Sequence, residues 1–229
     1  MSIGLGIFVK TPALSPVKTR LASDVGQLRA EAFYLSSAEA VASVAQQLPP
    51  RMELRTYWAV AEKQALDGAA WIDLPRLPQG IGSLGERMAR VYRLLLSQHH
   101  GALLVGADAP QLTQEMLGQA VRWLALPGRR LVIGPARDGG FWLFGGNCLL
   151  PDRAWSEPTY SCPETYRQFV AAMQAHGEWL ELEALTDVDR GSDLMTVQKQ
   201  LQQLPAPTDA QLRLSTWLDD WSALGELAP

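Results

Sequence analysis

The stretch Leu103-Leu104-Val105-Gly106-Ala107-Asp108-Ala109-Pro110 constrains this chain most. An uncharged apolar run that closes on a small residue, an acid and a proline has the make-up of a parallel strand buried on both faces. Its carboxyl end would deliver Asp108 into the crevice where open α/β sheets bind their ligands. A carboxylate there suits a divalent cation carrying phosphates. The bland alternative is a turn cap ahead of Pro110.

Other apolar runs surround it. Residues 3–9, 54–60, 131–134 and 141–146 read as buried strands, 71–74 as a short third strand, and 179–182 as an alternating one. Between them lie helical patterns. One is expected over residues 24–48, with Asp24 as N-cap, a stripe of Leu28, Ala32, Leu35, Ala38, Ala42 and Ala45, and Pro49-Pro50 as the stop. A second carries Leu84, Met88, Val91 and Leu95, and a third follows Thr113 as N-cap. A fourth starts near Pro163, where Ser161 and Glu164 have capping-box spacing, and a fifth near Ser192. Strands alternating with helices predict a three-layer α/β/α domain on a mostly parallel sheet, spanning residues 1–204. After the stiff joint Pro205-Ala206-Pro207, residues 208–229 read as an amphipathic helix. Leu214, Trp217, Leu218, Trp221 and Leu224 form its stripe, packed on the domain or on a second copy in a homodimer.

The 229 residues suffice for a core without staples. A net charge of −4 with no basic stripe speaks against nucleic acid as a partner. No apolar run nears the roughly 20 residues of a membrane span. The apolar start is too short for a secretory core, and Lys10 ends it. With Cys148 and Cys162 as its two cysteines, the chain is expected to be cytoplasmic and free of disulfides.

Several stretches carry chemistry. Lys10, Lys18 and Arg20 stand in a proline-broken loop after the first strand, a placement that suits a polyphosphate. The alternative is a solvated basic loop. Gln79-Gly80-Ile81-Gly82-Ser83-Leu84-Gly85 has G-x-G-x-x-G spacing but follows no evident strand, so the dinucleotide reading is rejected. Gln79 and Gly82 remain candidate nucleotide contacts through close backbone approach. Asp138-Gly139-Gly140 reads as a tight hairpin turn, as an anion contact, or as both. Trp155 opens a polar, aromatic loop. Asp187 and Asp189, at i and i+2, share one side of an extended segment; helix capping is their alternative role. His99, His100 and His176 form no catalytic grouping.

Taken together, Pro16-Val17-Lys18-Thr19-Arg20-Leu21, Leu84-Gly85-Glu86-Arg87-Met88, Gly106-Ala107-Asp108-Ala109-Pro110, Gly134-Pro135-Ala136-Arg137-Asp138-Gly139-Gly140 and Asp187-Val188-Asp189 with Asp193-Leu194 resemble a known family. It is the bacterial glycosyltransferase-like family of GT-A fold associated with arsenosugar biosynthesis or radical enzymes. Wider relatives are 2-phospholactate and molybdenum-cofactor guanylyltransferases. The resemblance runs over residues 3–200 in the family's order. It implies a nucleotide-diphospho-sugar transferase fold. It also implies Lys18 and Arg20 on the nucleotide phosphates, and Mg2+ or Mn2+ on Asp108 with Asp189 as second ligand and Asp187 as its competitor. The chain departs from the family pattern at Ser15, where a glycine is usual, and at Ser83, where an acid is.

The expectation is a metal-dependent transferase with a nucleotide donor and a small-molecule acceptor, most readily a glycosyltransferase on a nucleotide sugar. Lys18, Arg20 and Asp108 are its candidate catalytic residues, and Asp138, Gly139, Gly140 and Trp155 its acceptor contacts. A nucleotidyltransferase releasing pyrophosphate is the alternative, and a nucleotide-binding module without turnover a further one.

Overall fold

A computed structural model describes residues 2–223. Strands β1 (Ile3–Val9), β2 (Leu54–Val60), β3 (Arg76–Pro78), β4 (Gly101–Gly106), β5 (Arg130–Pro135), β6 (Phe141–Gly146) and β7 (Glu178–Glu181) form a seven-stranded sheet in the order β3-β2-β1-β4-β6-β5-β7. β6 runs antiparallel to β4 and β5; the other pairings are parallel. Helices α1 (Thr19–Val25), α2 (Gln27–Gln46), α3 (Leu84–Leu96), α4 (Gln114–Leu124), α5 (Asp152–Ser156), α6 (Thr165–Met173), α7 (Gly191–Gln202) and α8 (Asp209–Ala223) cover both faces.

The strand pattern sets the layers. Ile3, Leu5, Ile7 and Val9 alternate onto the face packed by α2 and α4, with Leu103 and Val105 beside them. The opposite face of β1 carries Gly4 and Gly6. A Cβ on Gly4 would lie 2.5 Å from the His99 ring and one on Gly6 3.1 Å from Val91, so these glycines let α3 approach the sheet. Leu104 and Phe144 share that second core with Val91, Leu95, Trp155 and Phe169.

From β1 the chain moves outward through β2 and β3, then crosses back to place β4 on β1's other edge. That reversal opens a crevice at the carboxyl ends of β1 and β4, where a doubly wound sheet binds ligands.

The long first helix is interrupted. Gly26, at φ 87°, separates α1 from α2, and Asp24 lies inside α1 rather than capping it, its carboxylate accepting from Gly191 N at 2.9 Å. Leu28 is 83% exposed, so the buried face of α2 starts at Ala30. The third strand is residues 76–78 and not 71–74, where Trp71 adopts φ 59° in a turn. The Ser161–Glu164 capping box does not form; α6 begins at Thr165, whose hydroxyl donates to Cys162 O at 2.7 Å. Thr113 does cap α4, accepting from Met116 N at 3.1 Å.

α8 packs Leu214, Leu218 and Trp221 against Leu21, Phe33 and Val197. Leu224 of the expected stripe lies outside the described residues. Among those residues no helix is long and apolar enough to cross a membrane, and both cysteines are free.

Candidate functional site

A cleft of about 810 Å³ opens along the carboxyl edge of the sheet. Its centre is the exit of β4. Ser37 of α2, fully buried, donates to Ala107 O at 2.6 Å and fixes that exit. Asp108 follows, its side chain 35% exposed and turned into the cleft.

Residues 185–189 run along the same edge. Ala136 bridges to Leu185, Gln111 Nε2 donates to Thr186 O at 2.8 Å, and Val188 N reaches Asp108 O at 3.4 Å. These bonds bring Asp187 and Asp189 beside Asp108, with Gln111 and Thr186 joined across 75 positions of sequence. The capping alternative for this pair falls to another residue: Asp193 Oδ2 accepts from Asp189 N at 2.9 Å and Arg190 N at 2.8 Å.

Lys18 ties the first loop to this edge. Its backbone is left-handed, φ 47° and ψ 44°, which costs a residue with a Cβ about 1 kcal/mol or more. In that pose its side chain is only 5% exposed, and its Nζ donates to Val188 O at 2.6 Å and lies 3.0 Å from Asp108 Oδ1 and 3.7 Å from Asp189 Oδ1. Burial pulls its pKa down, but Asp108, with smaller contributions from Asp187 and Asp189, raises it above the ordinary lysine value. The ammonium is thus held charged between carboxylates. Arg20 Nη1 pairs with Asp189 Oδ2 at 2.9 Å on the cleft rim, where Arg20 is 62% exposed.

Asp187 has the opposite balance. Burial first, then the charge of Asp108, outweighs the help from Lys18 and pushes its pKa up to about 7. Three carboxyl groups, Asp108, Asp187 and Asp189, thus meet the Lys18 ammonium at this end of the cleft.

The remaining expectations divide. Lys10 lines the cleft, its main chain clamped by Tyr34, whose hydroxyl accepts from Lys10 N at 2.7 Å and donates to Lys10 O at 3.1 Å. Gln79 also lines it but is 3% exposed and spent on structure, its Nε2 donating to Val9 O and Ala59 O at the ends of β1 and β2. β3 runs directly into Gln79, so the glycine turn does follow a strand. Gly82, at φ 113°, is exposed and off the cleft wall. Ser83 caps α3 in a capping box with Glu86, so a serine does there what a capping acid would.

Asp138 and Gly140 line the cleft on the β5–β6 hairpin, Asp138 Oδ1 accepting from Gly140 N at 2.9 Å. Gly139 lies behind them at φ 91°. A Cβ on it would lie 2.1 Å from Pro163 O. Trp155 is not an acceptor contact: it is 1% exposed, on α5, and packs edge-on to Phe144 in the core. Sequence reading missed Tyr34 and Arg87 on the cleft wall. The signal for Arg87 was a charged residue one position from the apolar stripe of α3.

The donor set near Asp108 is all oxygen, as Mg2+ or Mn2+ requires. Among the described residues no group of three acidic, histidine or cysteine side chains would hold an ion unaided. One or two carboxylates completed by ligand phosphates is the usual way such a hard ion is held, and Asp108, Asp187 and Asp189 line the cleft together.

Comparison with solved structures places this architecture. It matches a provisionally named nucleotide-diphospho-sugar transferase from Desulfovibrio desulfuricans G20 with a TM-score of 0.84 at 23% identity, over 98% of this chain and 97% of that one. It matches 4-diphosphocytidyl-2C-methyl-D-erythritol synthase from Anaerococcus prevotii DSM 20548 with a TM-score of 0.53 at 9% identity, over 88% and 96%. It matches the mannosyltransferase PcManGT from Pyrobaculum calidifontis, in complex with GDP-Man and Mn2+, with a TM-score of 0.51 at 12% identity, over 99% and 72%. At these identities the likeness shows the fold, that of the nucleotide-diphospho-sugar transferases. No curated protein matches the sequence. The model of one family does, over residues 40–161 and so more than half of the chain, from within α2 to beyond the β5–β6 hairpin: the chain belongs to the family described as uncharacterized proteins conserved in bacteria (DUF2064).

Proposed function

We propose that this protein is a metal-dependent transferase acting on a nucleotide donor, a glycosyltransferase on a nucleotide sugar. The observation that carries the reading is the meeting of Asp108, Asp187 and Asp189 with Lys18 and Arg20 at the sheet's switch point. A divalent ion on Asp108, with Asp189 and Asp187 at hand, would supply charge neutralisation of the donor phosphates.

The chain's own residues do the rest. Arg20 stands at the rim, where its fork meets an incoming diphosphate and exchanges Asp189 for it. Lys18, held charged, neutralises the carboxylates and keeps the edge segment against β4 through Val188 O. Asp138 and Gly140 form the wall facing the acceptor. Such preorganised charge is the main contribution a protein makes to phosphate-leaving reactions.

Nucleotidyl transfer is the second reading, favoured by the cations Lys10, Lys18 and Arg20 at the carboxyl end of β1, on one cleft with Arg87. Incubation of the protein with nucleotide sugars and with nucleoside triphosphates, each with Mg2+ and candidate acceptors, separates the two. Free nucleoside diphosphate supports sugar transfer and pyrophosphate supports nucleotidyl transfer. Tight binding without either product supports a non-catalytic module.

A further inference from the structure

The cleft has two halves. Lys18, Arg20 and Tyr34 belong to the α1–α2 side of the sheet, while Leu84, Arg87, Met88 and Tyr160 belong to the α3–α6 side. The cations assigned to the donor phosphates all lie in the first half.

Arg87 stands in the second half without a countercharge. Among the described residues no carboxylate pairs with it, in contrast to Arg20. Its Nη1 donates to Gln79 Oε1 at 3.3 Å, a long bond that orients the guanidinium. Its Nε is buried and has no partner. A guanidinium has five donors in a fixed fork, and here most are unused. A dry, unsatisfied donor on a charged group is costly to maintain and calls for an explanation.

The geometry points to Arg87 as the residue that holds an oxyanion, phosphate or carboxylate, on the small-molecule acceptor of the transferase proposed above, on which this inference rests. A fork aimed into a cleft matches the paired oxygens of either group. The surroundings orient such a molecule. Leu84 and Met88 offer it apolar contact, and so does the Tyr160 ring, whose hydroxyl is turned away to donate to Trp155 O at 2.7 Å. At the other end of the same cleft stand Asp138, Asp187 and Asp108, where the reacting groups and the divalent ion meet in the reading above. The acceptor's charged end therefore goes to Arg87, and its uncharged reacting end faces the carboxylates.

The test uses the full chain saturated with a nucleoside diphosphate and Mg2+, so that the donor-phosphate grip is filled. Calorimetric titration with glycerol 3-phosphate, glycerate and glycerol separates phosphate, carboxylate and neutral probes. One of the two anionic probes is expected to bind at least about tenfold more tightly than glycerol. Arg87→Met should reduce that probe to the level of glycerol while changing nucleotide affinity less than about twofold, and Arg87→Lys should retain part of the preference. If Arg87 only positions Gln79, Arg87→Met will bind the anionic probe as wild type does, and the inference fails. Nucleotide binding without any anion preference in the wild type also overturns it and leaves the transferase reading standing. A wild type that binds no nucleotide overturns both.

Discussion

Lys18 Nζ sits 3.0 Å from Asp108 Oδ1 and joins the loop after β1 to the end of β4, two segments far apart in the chain. Replacing a partner in a buried pair strands the other charge, a loss of about 3–5 kcal/mol, and solvent at the third-exposed Asp108 reduces this to about 2 kcal/mol. Lys18→Met is therefore expected to unfold at lower denaturant concentration than wild type. Added Mg2+ should recover more stability in the variant than in wild type, because the ion relieves the carboxylates that Lys18 had neutralised. Equal Mg2+ responses in paired melts would contradict this account.

Asp108→Ala should abolish Mg2+-dependent nucleotide binding while the exit of β4 stays held by Ser37 on Ala107 O and Val188 N on the residue 108 carbonyl, at a stability loss comparable with that of Lys18→Met because the buried ammonium loses its nearest carboxylate. Arg20→Ala should weaken donor binding only a few-fold, about 1 kcal/mol, because the guanidinium is 62% exposed. Titration calorimetry with and without Mg2+ measures both.

His99 supplies a pH dependence. Burial first, then the charge of Arg55, lowers its pKa below the ordinary histidine value. The ring is bonded by Ser2 Oγ at 2.8 Å and Tyr57 Oη at 3.0 Å. The unfolded chain takes up the proton near the ordinary histidine value of 6.5 while the folded chain resists it. Stability from this site is thus complete above that value and is lost as pH falls through it. Denaturant midpoints measured at about pH 8 and about pH 5.5 should converge in His99→Gln relative to wild type.

Two glycines separate backbone strain from contact. Gly26, at φ 87°, has open space where a Cβ would go, so Gly26→Ala should cost about 1 kcal/mol from conformation alone. Gly139, at φ 91°, would set its Cβ against Pro163 O, so Gly139→Ala should cost about 3 kcal/mol or more. Thermal denaturation of both variants checks the difference.

Much of this was legible in the sequence for definite reasons. β1 and β4 are buried on both faces, so their runs are continuous and short, and the acid at the end of β4 stands out against them. Thr113 announces α4 by its own side chain. The failures are long-range. Nothing local shows that Asp193, not Asp187 or Asp189, does the capping. Nothing local shows Lys18 turned inward, since its backbone conformation is one a lysine seldom adopts. Trp155 sits in a polar stretch, and only the docking of α5 against Phe144 and Phe169 draws it into the core. The expected helix over residues 24–48 ran through Gly26 because one residue of helix break leaves the apolar spacing on either side almost in phase.

The bonds that carry residues 185–189 past β5 to β4 can form only once Thr186 has been made, since its carbonyl accepts from Gln111 Nε2. A nascent chain halted before Thr186 has the first loop and Asp108 but lacks the two later carboxylates and the carbonyl that anchors Lys18. Until that segment is in place, the cleft lacks both the bond from Lys18 to Val188 O and the pairing of Arg20 with Asp189.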